Sequence, residues 1–203
     1  MKLANQYYGG LLIPDLYLTP KTLKISKSLK KLLKKHNYQF SFDTSFTAVI
    51  DHCAESRRQG DGTWITKEMQ AAYIALHEQG YAHSVEIWSD GVLVGGLYGV
   101  ALGKVFFGES MFSKRNNTSK LALVYLTKQL ELWDFELIDC QVSSDHLFTL
   151  GALEIPRTEF LEKVNAFAQQ EPHEANNEER HNSQDRIGNW SQRIDRVILQ
   201  HEY

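Results

Sequence analysis

The sequence predicts an α+β fold, a mixed sheet flanked by helices, and three observations carry that prediction. Apolar residues recur at helical spacing in several separate blocks ahead of residue 80. Apolar runs bounded by turn residues then follow one another between residues 83 and 110. A strongly apolar helical block from 118 to about 135 leads into one more short apolar run, which turns a simple hairpin series into a mixed sheet.

Residues 1–20 are broken by Gly9-Gly10, Pro14 and Pro20 and read as a lead-in or an edge element. From Ser26 to His36, Leu29, Leu32 and Leu33 recur at helical spacing among lysines, which predicts a basic amphipathic helix. Phe46, Val49, Ile50 and Cys53 fall at i, i+3, i+4 and i+7 and mark a second helix. Thr66 caps a third, with Met69, Ala72, Tyr73 and Leu76 on one face and Gly80 closing it. Strands are expected at 83–88, 92–100 and 105–110, turning at Ser89-Asp90-Gly91 and near Gly103. Thr118 or Ser119 opens the long helix, 137–142 is a strand, and Asp145 caps a short helix that ends at Gly151. A last helix carries Phe160, Val164 and Phe167. Residues 170–188 are almost wholly polar, too poor in apolar side chains to bury a core, and Ile194, Val197 and Ile198 suggest a short terminal helix. The expected division is a lead-in over 1–20, one domain over 21–168 and a polar tail over 169–203.

A 42% hydrophobic content with 23% charged residues is that of a folded chain with a substantial core. Cys53 and Cys140 are far apart and form no CxxC pair, which excludes a disulfide scaffold and fits a reducing compartment. No apolar run approaches the roughly 18 residues that cross a bilayer, and the first residues hold no signal-like apolar core, so a cytoplasmic monomer without membrane partners is expected. His52, His77, His83 and His146 show no paired spacing, and no metal site is expected. Seven lysines and no acid lie within residues 21–35 of a chain whose net charge is −3, so the remainder is acidic. That basic helix suits phosphates, an anionic membrane or plain solvation, and it lacks the Trp or Phe of membrane-seeking helices.

Two apolar-flanked stretches hold the candidate chemistry. Glu109 follows Val105-Phe106-Phe107, and Asp139 follows Leu137-Ile138. A carboxylate among such neighbours is costly to desolvate unless it is paired or used. On a strand, Asp139 and Gln141 share a face, so an acid and an amide converging on a second acid can handle an amine. A satisfied polar network tying strands together is the alternative. Cys140 points the other way and reads as core. Gly95-Gly96 interrupts the central strand, either for close approach of a ligand or as a packing bend.

Taken together, Gly62-Thr63-Trp64-Ile65-Thr66, Ala82-His83-Ser84-Val85-Glu86, Val94-Gly95-Gly96-Leu97-Tyr98-Gly99, Gly108-Glu109-Ser110-Met111-Phe112-Ser113, Ser119-Lys120, Leu137-Ile138-Asp139-Cys140-Gln141-Val142 and Gly151-Ala152-Leu153-Glu154-Ile155-Pro156-Arg157 resemble the leucyl/phenylalanyl-tRNA–protein transferases. The resemblance runs in order from about residue 15 to 168. It implies an acetyltransferase-like (GNAT) fold and an aminoacyltransferase that moves Leu, Phe or Met from charged tRNA to proteins beginning with Arg or Lys, marking them for N-degron degradation. It implies Asp139, Gln141 and Glu109 as catalytic residues, with Asp139 either a base or an orienting group. Leu97, Met111, Leu123, Leu126, Leu130 and Ile138 match the aminoacyl pocket, and Trp64 the platform for the terminal adenosine. Tyr73 and Ser84 are further substrate-binding candidates. Lys27, Lys30, Lys31, Lys34 and Lys35 are candidates for tRNA phosphates. No cofactor is implied: Ser113-Lys114-Arg115-Asn116-Asn117-Thr118-Ser119 has no glycine where a CoA-binding loop would need them, so acyl-CoA is not the expected donor.

Members of the family usually carry a small aromatic-rich domain ahead of this point, where this chain offers its first twenty or so residues. Tyr7, Tyr8 or Tyr17 would have to replace the aromatic that this domain brings to the adenine. Two other readings therefore stay open. One is a non-catalytic relative that binds charged tRNA or peptides; the other is an aminoacyl-tRNA-dependent transferase with another amine acceptor.

Overall fold

The computed structural model describes residues 7–8, 11–12, 14–34, 38–58, 65–141, 144–170 and 190. Strands β1 (Tyr7–Tyr8) and β2 (Leu11–Leu12) pair with each other. Then follow β3 (Asp15–Leu18), α1 (Lys27–Leu33), β4 (Gln39–Phe42), α2 (Phe46–Arg58) and α3 (Lys67–Glu78). An antiparallel series β5 (Ala82–Ser89), β6 (Val92–Leu102) and β7 (Val105–Ser113) leads into α4 (Thr118–Leu132). The order closes with β8 (Leu137–Asp139), α5 (Asp145–Thr149), β9 (Leu153–Ile155) and α6 (Arg157–Ala168). Seven strands form one sheet in the order β4-β5-β6-β7-β8-β3-β9, antiparallel except for β7 and β8. A parallel pair needs a crossover, and α4 supplies it. This is the mixed α+β sheet flanked by helices that the segment order predicts.

Alternation along the strands divides the core in two. Leu16, Leu18, Val85, Leu97, Phe106 and Ile138 face Leu123, Leu126 and Leu130 of α4. On the opposite face, Tyr98 and Phe112 pack with Val49, Ile50 and Cys53 of α2 and Tyr73 of α3. Further along that face, Val105, Phe107 and Leu137 meet Phe160 of α6. The caps follow the sequence: Ser26 Oγ accepts from the Leu29 amide and Thr66 Oγ1 from the Met69 amide. Gly80 takes φ +77° at the close of α3.

Several expectations need correction. Residues 15–18 are no lead-in: β3 lies between β8 and β9, inside the sheet, because its alternating Leu16 and Leu18 bury completely. β8 stops at Asp139, three residues short of the expected end, since Gln141 adopts φ +58° and cannot continue a strand. Ser144, not Asp145, caps α5, its Oγ accepting from the Leu147 amide. The glycine pair serves packing. A Cβ at Gly95 would strike Thr118 at the start of α4, whose Oγ1 donates to the Val94 carbonyl (2.9 Å). The tail is not wholly outside the core. Trp190 is 4% exposed, stacked on His83 at 3.8 Å between ring centroids, and its backbone N–H donates to Asp43 Oδ2 (2.9 Å). The suggested terminal helix at 194–198 lies outside the described residues.

Candidate active site

β7 and β8 pair only from Val105↔Leu137 to Phe107↔Asp139, while β7 runs on to Ser113. The sheet therefore opens just past Asp139. Gly108 lets the strands come this close: a Cβ there would sit 3.2 Å from the Asp139 carbonyl oxygen. Opposite β6 the register jumps from Gly99↔Gly108 to Tyr98↔Ser110 and leaves Glu109 unpaired as the extra residue of a bulge. A bulge re-aims a side chain. Glu109 here acts on both the Tyr73 hydroxyl of α3 and the Asp139 carboxyl, raising the pKa of each.

Asp139 is 9% exposed, and its pKa is pushed up to about 6. Burial is the main cause, and the negative charges of Asp15 and Glu109 add to it. The Gln141 backbone N–H, donating to Oδ1 at 2.9 Å, and the Arg157 guanidinium pull the other way. Burial chiefly, then the charge of Glu109 and its hydrogen bond, holds the Tyr73 phenol well above its usual range. The Cys140 thiol is pushed up to about 12, first by burial and then by Asp139. That suits a core residue and not a nucleophile.

The structure brings Asp139, Glu109 and Tyr73 together. It relates Gln141 to Asp139 differently from the expected pleat: the contact is a turn closed by the backbone N–H, and the left-handed Gln141 is exposed. Tyr73 is both core and site, 5% exposed and edge-on to Tyr98. Leu97, Leu123, Leu126, Leu130 and Ile138 are buried in one cluster with Met111 half-buried against it, on the α4 side of the sheet. Asp139 lies on the other face, the one it shares with Leu137 and α6.

Ser84 does not join them. It is fully buried, and its Oγ donates to Glu86 Oε1 (2.5 Å). Lys27, Lys30, Lys31 and Lys34 are exposed along α1, behind the buried Leu29. Trp64 and Lys35, and the side chains of Tyr7 and Tyr8, lie outside the described residues. Two site residues escaped the sequence reading. Asp15 on β3 and Arg157 at the start of α6 form an ion pair (2.6 Å) beside Asp139. The alternation Asp15-Leu16-Tyr17-Leu18 between two prolines was the available signal for the first.

A buried carboxylate on one face of a sheet and a leucine cluster on the other are the residue types with which a transferase handles an amine and an apolar acyl group. The leucyl/phenylalanyl-tRNA protein transferase family pattern matches residues 17–165, and the chain belongs to that family. It is 58% identical over 151 residues to the leucyl/phenylalanyl-tRNA–protein transferase of Nitrosospira multiformis, covering 74% of this chain and 65% of that one. It is 54% identical over 157 residues to the one of Cellvibrio japonicus, covering 77% and 67%. The chain thus spans about two thirds of the length of these relatives. Among solved structures it is similar to a functionally unknown conserved protein from Staphylococcus epidermidis, with 10% identity, 71% and 58% coverage and a TM-score of 0.49.

Proposed function

We propose that the protein transfers leucine, phenylalanine or methionine from charged tRNA to the N-terminal Arg or Lys of acceptor proteins, marking them for degradation in the cytoplasm. The observation that carries this reading is that Glu109 acts on the buried Asp139 at the end of β8, across the sheet from a leucine-rich cluster, in a chain of this family. In the transfer, the acceptor amine attacks the ester carbonyl, the bond to the ribose oxygen breaks, and the amine proton ends on that oxygen. Asp139 is ionised above about pH 6 and takes the proton of the incoming ammonium. Gln141 orients the amine. Glu109, steadied by Tyr73, neutralises the acceptor's cationic side chain, since a desolvated guanidinium needs an anionic partner.

Leu97, Met111, Leu123, Leu126, Leu130 and Ile138 form the aminoacyl pocket, which the half-buried Met111 lets adapt to unbranched or aromatic side chains. Trp64 stacks on the terminal adenine, and Lys27, Lys30, Lys31, Lys34 and Lys35 meet acceptor-stem phosphates. The test is radiolabelled Leu-tRNA or Phe-tRNA mixed with proteins that begin in Arg, Lys or Ala. Labelling of the first two alone is expected. Binding without labelling would make the chain an adaptor, and labelling of all three would assign another acceptor.

A further inference from the structure

A site meant for a substrate's cation must keep the protein's own cations out. One is close by. Arg157 opens α6 and its charge opposes, as the weakest of the influences on Asp139, a pKa that is raised overall; the ion pair it makes is with Asp15 Oδ1 at 2.6 Å. The register explains this choice. Tyr17 on β3 faces Asp139, so Asp15 lies two residues further along the same face of the sheet, diagonal to Asp139. Asp15 is also the cross-strand partner of Ile155, and the chain passes from there through Pro156 into Arg157. The guanidinium thus emerges beside Asp15 first.

The pairing uses one carboxylate oxygen. Asp15 Oδ2 is buried and has no hydrogen-bond partner among the described residues, although guanidinium and carboxylate favour a two-pronged contact. A one-pronged grip restrains Arg157 without drawing it fully onto β3. The charged groups acting on Asp139 are then Asp15 from β3, Glu109 from β7 and Arg157 from α6, with the Tyr73 hydroxyl on Glu109 and Tyr17 across the ladder.

We propose that Asp15 is a positioning residue of the acceptor site: it tethers Arg157 and so keeps the place beside Asp139 and Glu109 free for the cationic first residue of an acceptor peptide. This rests on the transferase reading above. Released from Asp15, the Arg157 side chain would turn to Asp139 and compete with the substrate's own guanidinium or ammonium group.

The full-length chain is assayed with Phe-tRNA and an Arg-initiated peptide in three variants, D15N, R157Q and the double substitution. In D15N the KM for the peptide is expected to rise about tenfold, the scale of one charge-assisted contact, and the KM for Phe-tRNA far less. In the double variant the peptide KM should return most of the way, because the competing cation is gone. A residue that merely supports the fold would give losses that add, so a double variant as poor as D15N overturns the proposal, as does an unaltered D15N. A parallel reading needs no activity: followed by carbon NMR, the Asp139 titration should be raised by R157Q more in the D15N background than in the native chain, because only there does the freed guanidinium turn to Asp139, and equal rises would count against the tether. If the native chain transfers nothing, the functional reading fails, and this titration still decides whether Asp15 governs Arg157. Should D15N not fold, R157Q alone must raise the Asp139 titration without raising the peptide KM, and a raised KM would count against the tether.

Discussion

Glu86 and Asp139 are both nearly inaccessible carboxylates on strands of the same sheet, and burial is the main force raising the pKa of each. Their company differs. Glu86 accepts from Ser41 Oγ at 2.5 Å, Ser84 Oγ at 2.5 Å and the Ser45 amide at 3.4 Å. Its neighbour Asp43 accepts from His83 Nδ1, the Ser84 amide and the Trp190 amide, all within 2.9 Å. That cluster is closed and its charge is matched by donors. Asp139 accepts one backbone N–H and otherwise faces two more acids, with the nearby guanidinium held by Asp15. Burial alone does not distinguish structure from function here; the balance of donors to acids does.

Substitution at Asp139 should separate the two clusters most sharply. Asp139→Asn is expected to slow transfer about 10²–10⁴-fold, the usual worth of a positioned proton-transfer group. The same change should stabilise the fold at pH 8. Asp139 has a folded-state pKa of about 6 against an ordinary 3.8, so its favourable contribution is complete below pH 3.8 and is lost as pH rises through 6. Asparagine escapes that loss, about 1–3 kcal/mol in urea unfolding at pH 8, and a destabilised variant would refute the assignment. Trp190→Ala should cost about 3–5 kcal/mol of stability by emptying an aromatic box formed with Phe42, His83, Trp133 and Phe135. Free indole should recover part of it; unaltered unfolding would mean that Trp190 contributes no packing.

Glu86→Gln replaces one of the two accepting oxygens with an amide NH2, which faces a donor it cannot accept from. It should destabilise by about 1–3 kcal/mol, opposite in sign to Asp139→Asn, while the remaining folded protein keeps its pH dependence. The smallest effect is on that pH dependence. The transfer rate of the native chain should fall about tenfold per unit below pH 6 as Asp139 takes up a proton, and a limb insensitive to Asp139→Asn would belong to another group.

The helices and the central strands were legible because their signals are local. Thr66 and Ser26 announce caps, and the runs through Val85, Val94 and Phe106 announce strands. The two principal acids were legible because a charge inside an apolar run is conspicuous. β3, β4 and β9 were not, since strands of three or four residues carry little pattern and their partners are remote in sequence. Gln141 misled because alternation presumes that the strand continues. Trp190 was hidden by its polar surroundings, where a lone aromatic hardly changes the average. Asp15 escaped because its role depends on Arg157, 142 residues away.

The place of β3 in the sheet bears on synthesis. It is the first strand of the large sheet to leave the ribosome, yet it slots between β8 and β9, which emerge more than a hundred residues later. A nascent chain can zip β4 to β7 as neighbours while Leu16 and Leu18 wait without a place to bury. Closure by such distant pairing is slow, and it exposes an apolar strand to stray partners in the meantime.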